Sequence, residues 1–305
     1  EMDKGTNAIS YLGSTAAGPA IEAIAFNGYL DEIYGADAGT FVKIDKTDGT
    51  LTTIADIDGG IALSGSEGNI FASDVDALAF DTWTGYYWAA ARRNGDFDIL
   101  FKIDASTGQV IRDAFGTGVD YVMIDGSGVN LDIDDIAINP SSGKLYAVTT
   151  VSGSSKLIEI NRFTGSVVSS VDMDQPDAEG LDFTSDGILY ATLGVANELW
   201  IVALDGTMSG MVDLTDGGAC SDVESVTATT APADTLGGKV WDDVDMDMTI
   251  GAESGIPGVD VQLIYDANNN GVYDAGDEII QTTTTDGSGD YGFYFATDAD
   301  LIVQV

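Results

Sequence analysis

Apolar and polar residues alternate with a period of two along most of the first 230 residues, in short runs broken by Gly, Asp and Asn. That period sends successive side chains to opposite faces of a strand, and no window carries the 3.6-residue stripe of an amphipathic helix. The runs recur as a unit. Four segments open with an acid and an alternating strand: EAIAF at 22–26, DALAF at 76–80, DDIAI at 134–138 and EGLDF at 179–183. An aromatic strand follows in each: EIYGA at 32–36, YYWAA at 86–90, KLYAV at 144–148 and ILYAT at 188–192. A third strand comes next (FVKID at 41–45, LFKID at 100–104, LIEIN at 157–161, LWIVALD at 199–205), then a turn and a fourth (KTDGTLTTI, ASTGQVI, RFTGSVV, DGTMSGMV).

Four short strands in roughly 45–60 residues, joined by tight turns, are the pattern of a β-propeller blade. The large aromatics of the second strands would fill the space between packed blades. A fifth copy of the opening strand, ESVTA at 224–228, begins and is not completed, and AISYLG at 8–13 adds a further strand. Five blades would therefore require an incomplete last one, and the sequence leaves the closure open. The predicted fold class is all-β: a β-propeller over 1–230, a linker at 231–238, and a small β-sandwich over 239–305. The first region resembles secreted bacterial β-propellers with an acid-acid-Gly-apolar opening strand, as in DAEGLDF at 177–183. That likeness implies a fold and no particular chemistry.

The opening acids fall in register: Glu22, Asp76, Asp134, Glu179 and Glu224. A second acid lies two residues earlier in four of the five, as Asp74, Asp132, Asp177 and Asp222. Innermost strands line the axial channel of a propeller, so equivalent positions form a ring. Clustered carboxylates raise one another's pKa unless a cation sits among them. The ring reads as a cation site or a carboxylate-based active site, or as acids that cap turns and bind backbone amides of the next blade.

After TATTAPADTLGG at 227–238 the composition shifts. Residues 239–305 hold one base, Lys239, against fourteen acids. The stretch DANNNGVYDAGDE at 266–278 spaces side-chain oxygens as a calcium loop does: Asp266, Asn268 and Asn270 at positions 1, 3 and 5, Gly271 at the sharp turn, the Val272 carbonyl at 7 and Asp274 at 9. Asp277 stands at 12, where its short side chain makes bidentate closure uncertain, so Glu278 can share the role. Six to eight such oxygens suit hard Ca2+; the alternative is a polar hairpin. An earlier loop offers Asp243, Asp245, Asp247, Thr249 and Glu253 with a less regular spacing. The order V-W-x-D-x-D-x-D, E-x-G-I-P-G-V-x-V-x-L and T-T-T-x-D-G-x-G-x-Y-x-F resembles the calcium-binding B-type repeat of serine-aspartate repeat adhesins over 236–305. The resemblance implies a prealbumin-like sandwich serving as a calcium-dependent stalk. Some members carry an internal Lys–Asn isopeptide bond; Lys239 lies in the first strand, but no asparagine follows in the last, so none is expected.

Composition narrows the function. The chain carries 51 acids against 11 bases, a formal charge of −40, and no histidine. Phosphate contacts need Lys and Arg, so nucleic acid and anionic membrane surfaces are poor partners. Forty-one of the acids are aspartate and 38 residues are glycine, which favours turns over helices. Histidine-dependent triads and most catalytic zinc sites are excluded. Cys220 stands alone, so no internal disulfide forms, and it is read as a buried thiol. The opening EMDKGTNAIS is no translation start and suggests a cleaved leader; the end at LIVQV, within a strand pattern, suggests further sequence.

The sequence thus predicts a secreted or cell-surface, calcium-stabilised structural or adhesive protein: a matrix, surface-layer or filament subunit. Its partners would be calcium, copies of itself or other surface proteins, and glycans, with no membrane insertion. With no histidine and no arginine cluster beside the acids, it reads as no enzyme. The alternatives are an extracellular hydrolase or lyase, or a carbohydrate-binding protein using Trp83, Tyr86, Tyr87 and Trp88.

Overall fold

The structure, a computed structural model, describes residues 2–3, 8–9, 21–93, 97–126, 131–214, 225–228, 234–244, 249–250, 253–266, 269–274, 277–295 and 301–305. Every regular element among them is a β-strand. A short pair, β1 (Met2–Asp3) and β2 (Ala8–Ile9), precedes the first blade, β3 (Ala23–Asn27), β4 (Glu32–Asp37), β5 (Thr40–Ile44) and β6 (Leu51–Asp56). After the hairpin β7 (Leu63–Gly65) and β8 (Gly68–Ile70) come β9 (Val75–Phe80), β10 (Tyr86–Ala91), β11 (Ile99–Asp104) and β12 (Tyr121–Met123). The third blade is β13 (Ile133–Ile138), β14 (Leu145–Val151), β15 (Ser154–Ile160) and β16 (Val167–Asp172). The fourth is β17 (Ala178–Phe183), β18 (Leu189–Leu193), β19 (Glu198–Val202) and β20 (Met208–Asp213). Each blade is an antiparallel meander, and the first strands lie side by side in the order β3, β9, β13, β17. This is the β-propeller predicted.

The hairpins close by one repeated device. Asp45, Asp104, Asn139 and Asn161 each accept a backbone N–H two residues on, and a glycine with positive φ ends the turn at Gly49, Gly108, Gly143 and Gly165. These are Asx turns, the physical reason aspartate and glycine dominate the composition.

Alternation along the strands builds a core on both faces of the inner blades. Tyr87 packs with Tyr34, Phe41 and Phe101 between blades one and two, while its neighbour Trp88 joins Leu100, Ile136 and Ile158 between blades two and three. Tyr146, Leu157, Phe183 and Leu189 fill the third joint. Tyr34 and Phe41 stack at 5.3 Å, and Tyr146 meets Phe183 at 5.6 Å. Buried aromatics of this size dominate core energetics. Tyr87 and Trp88 are fully buried and Trp83 is 4% exposed, which removes those three from an exposed sugar platform.

Two readings are corrected. ASTGQVI is not the fourth strand of blade two. It forms a turn with a single bridge, Ile103 to Val110, and the chain then makes an excursion and returns as β12. Arg112 anchors that excursion, donating to the carbonyls of Asp58, Ile61 and Ala62 and to Asp120. A clamp between segments fifty residues apart leaves no local signal. The proposed linker at 231–238 also contains structure, since β21 (Asp234–Lys239) begins inside it. The closure left open by the sequence has a partial answer: residues 225–228 lie between the first strands of blades four and one, bonded to both.

The chain divides into two units, Glu1–Asp81 with Tyr86–Ala231, and Thr82–Gly85 with Pro232–Val305. In the second, β21 pairs with β24 (Asp290–Phe295), and β22 (Asp260–Tyr265) lies between β23 (Glu278–Thr284) and β25 (Leu301–Gln304). Val261, Leu263 and Phe293 form its core, with Leu236, Val240 and Val303 against them.

Candidate functional site

The ring acids owe their position to an irregularity. In blade two the register passes from Ala77↔Ala90 to Val75↔Ala91, leaving Asp76 without an opposite residue. The same shift leaves out Asp134 between Ile133 and Asp135, and Glu179 between Ala178 and Gly180. A bulge inserts one residue and re-aims its side chain. Its effect shows in the packing: Val75 and Ala77, two apart, serve different inter-blade cores. Glu22 stands at the equivalent place just before β3, its N–H on the Ala36 carbonyl at 3.3 Å. Glu224 and Asp222 lie outside the described residues.

Glu22, Asp74 and Asp76 bring one carboxylate oxygen each to within 4.8 Å of the others. Both Asp76 oxygens are buried and make no hydrogen bond. Arg92, just after β10, lies 3.1 Å from Asp76 Oδ2 as an ion pair. Its single Nε–H is spent on Asp132 Oδ1 at 2.7 Å, so Asp76 receives charge without a proton. Burial pushes Asp76 up to about 8, reinforced by Asp74, Glu22 and Asp98, with Arg92 pulling the other way. Asp134 is pushed up to about 7 by burial and then by Asp132, with Glu179 and Asp98 adding to it and Arg92 opposing. Asp98, raised to about 6 by burial, accepts the Arg93 and Ile133 amides. The two readings of the acids thus divide. Asp177 caps a turn, taking the Val195 amide at 2.9 Å, whereas Asp76 lies in the field of Glu22 and Asp74, and Asp134 in that of Asp132 and Glu179.

Sequence reasoning missed Arg92. The signal was present, since Arg92 and Arg93 are two of only eleven bases and directly follow the aromatic strand YYWAAA. It also missed Gly194, where a Cβ would stand 1.9 Å from Glu179 Oε2. Gly194→Ala should displace the Glu179 carboxyl while leaving the blade intact, because only the tip of a flexible side chain must move. The expected result is a melting temperature within a few degrees of the parent and a changed titration of Asp134, on which Glu179 acts, measured by thermal melting across pH.

The sandwich loops are arranged differently. Asp266 is buried and accepts the Asn270 and Gly271 amides at 3.1 and 2.6 Å. Asn270 accepts the Val272 amide and donates to Asp274, and Asp277 accepts the Asp274 amide. Gly271 takes φ +73°. Glu278 opens β23 opposite Tyr265. In the earlier loop Glu253 Oε1 accepts the Val244 amide at 2.7 Å, and Oε2 is buried. Asp243 and Thr249 are described, whereas Asn268, Asp245 and Asp247 lie outside the described residues. Among the described residues the one carboxylate triad within 4.8 Å is that of the propeller, and neither sandwich loop forms another. The propeller triad is an oxygen-only donor set, the kind that hard cations take.

No protein-family model and no curated protein matches the chain. Solved structures do. A protein of unknown function from Bacteroides caccae is 15% identical, with 70% of this chain and 68% of that one covered and a TM-score of 0.42. Myxococcus xanthus glutaminyl cyclase is 15% identical over 68% and 80%, at 0.43. The aldose sugar dehydrogenase of Streptomyces coelicolor, in its PQQ-bound form, is 10% identical over 78% and 93%, at 0.41. At such identities the likeness concerns the fold alone. One expectation is corrected, that the chain is no enzyme. Two of these similar structures are enzymes. In this chain Arg92 stands beside Asp76 and near Asp134, which burial raises to about 8 and 7, so an acid and a cation lie together without histidine.

Proposed function

We propose that this is a secreted or cell-surface protein whose propeller binds its partner through a divalent cation held by Glu22, Asp74 and Asp76. Its acidic sandwich serves as a calcium-stiffened stalk. The observation that carries the reading is the convergence of three carboxylates from two neighbouring blades within 4.8 Å. At that place burial disfavours the ionised form of Asp76, and a bound cation would relieve both the desolvation and the mutual repulsion. The loop at 266–278 supports calcium in the stalk through its oxygen spacing, as does the single base, Lys239, among fourteen acids in 239–305. Adhesion or assembly with other surface proteins, glycans or further copies of the chain follows as the use of such a platform.

The test is calcium titration of the whole chain by calorimetry. Asp76→Asn should remove one class of sites, and Asp266→Asn a separate class. Binding unchanged by Asp76→Asn would overturn the ring site, and particles that look the same by negative stain in calcium and in EDTA would overturn calcium-dependent assembly.

A second reading is an extracellular hydrolase or lyase. It rests on Asp76 and Asp134, raised to about 8 and 7, standing around Arg92, which together offer a general acid and a cation for developing negative charge. Turnover on phosphate esters or polysaccharides that disappears in Asp134→Asn would establish it.

A further inference from the structure

The joint between blades four and one is built unlike the other three. Apolar clusters fill the joints from blade one through blade four. Between β17 and β3 lie residues 225–228, and their described bonds to those strands and to β13 run through side-chain oxygens. Ser225 Oγ accepts the Ile24 amide at 3.3 Å and donates to Asp135 Oδ2 at 3.0 Å. Thr227 Oγ1 accepts the Phe26 amide at 2.9 Å and donates to Asp182 Oδ2 at 3.0 Å. Asp182 Oδ2 also takes the Ala228 amide at 2.7 Å, and Asp135 Oδ2 takes the Leu181 amide at 2.9 Å.

The pattern is systematic. Asp135, Ser225, Asp182 and Thr227 occupy the second and fourth positions of the repeated opening strand, where blades one and two carry only alanine (Ala23, Ala25, Ala77 and Ala79). Asp135 reaches Ser225 across β17 because Gly180 intervenes. A Cβ there would stand 2.8 Å from the Val226 nitrogen. The two hydroxyls are relays, each with one proton to give and one backbone N–H to receive, so removing either leaves a donor on β3 without its acceptor and takes one hydrogen bond from a carboxylate.

We propose that residues 225–228 are a latch, and that the propeller opens first at this joint, along β3 and β17, while blades two and three stay folded. Side-chain hydrogen bonds contribute little net free energy each and lose it on solvation, whereas the apolar joints must expose large aromatics to open.

Hydrogen exchange followed by mass spectrometry on the whole chain tests the inference. In the parent protein the amides of Ile24, Phe26 and Ala228 should exchange at least tenfold faster than those of β10 and β14. Ser225→Ala with Thr227→Ala should raise exchange at β3 and 225–228 by a further tenfold or more, with β10 and β14 unmoved. Should that pair not fold, Thr227→Val, which keeps the shape and loses only the hydroxyl, is read in the same way at Phe26 and Ala228. Equal protection across the four blades in the parent, or a rise spread evenly over all blades in either variant, would overturn the latch.

Discussion

Replacing Arg162 by alanine will cost the propeller about 3–5 kcal/mol, the largest loss expected of any single substitution outside the aromatic cores. Arg162 sits in the turn between β15 and β16 and is 8% exposed; Asp81, just after β9, is fully buried. They meet at 2.7 Å across the joint of blades two and three. Trp88 Nε1 donates to the same Asp81 oxygen at 3.2 Å, and the Trp88 ring has Lys102 Nζ at 4.8 Å and the Arg162 guanidinium at 5.8 Å. Removing the guanidinium strands a charge where water does not reach. Burial also makes the pair nearly indifferent to salt, unlike the exposed bridge Lys46–Asp31. Urea denaturation reads the loss. Asp81→Asn with Arg162→Met should recover most of it, because the introduced side-chain amide still accepts from Trp88 and no charge remains. A midpoint unchanged in Arg162→Ala would mean that the pair contributes nothing.

Acidifying from pH 8 to pH 5 in EDTA will stabilise the propeller, against the usual behaviour of an aspartate-rich protein. The sign follows from the ring. Asp76 and Asp134 titrate at about 8 and 7 in the fold and near 3.9 when unfolded. Protons therefore bind the folded chain more tightly. The stability they bring is complete below the unfolded value and is lost as the pH rises through 7 and 8. Asp98 and Asp182, each raised to about 6 chiefly by burial, act in the same direction at the lower end of the window. Carboxyls lowered in the fold act oppositely. Glu32 is lowered first by its Lys43 partner, and Asp120 by the Ser64 and Asp113 amides and Arg112 against its own burial, but their stabilisation is lost only on acidification below about pH 4. General relief of the −40 charge contributes as well. The double variant Asp76→Asn, Asp134→Asn separates the two effects: it should melt higher than the parent at pH 8 and show a clearly shallower pH slope. Calcium should raise the parent's melting temperature more at pH 8 than at pH 5, since protons and cation compete for the same oxygens. Calorimetric melting that is flat or falling between pH 8 and 5 would sink the argument.

Much of this molecule was written locally. Period-2 alternation marked the strands, and the acid heading each opening strand marked the position that the fold bulges in blades two, three and four. Gly, Asp and Asn between the runs placed the hairpins, because each of these effects acts within a few residues along the chain. Trp88 and Tyr87, adjacent in sequence, had to serve opposite faces of one blade, and they do. What acts across the fold was not readable. The return of β12 depends on Arg112 gripping carbonyls fifty residues away. Arg92 joins the acids only because β10 ends beside the bulge of β9 and the start of the next blade. Residues 225–228 looked like an unfinished repeat, and only the packing of β17 against them and β3 showed a joint closed by hydroxyls and carboxylates. The sequence alone determined which residues alternate, turn and carry charge. The tertiary structure decided which of those charges are buried together, since burial and neighbouring fields depend on segments far apart in the chain, and it is burial that turns a common aspartate into a group poised near neutral pH.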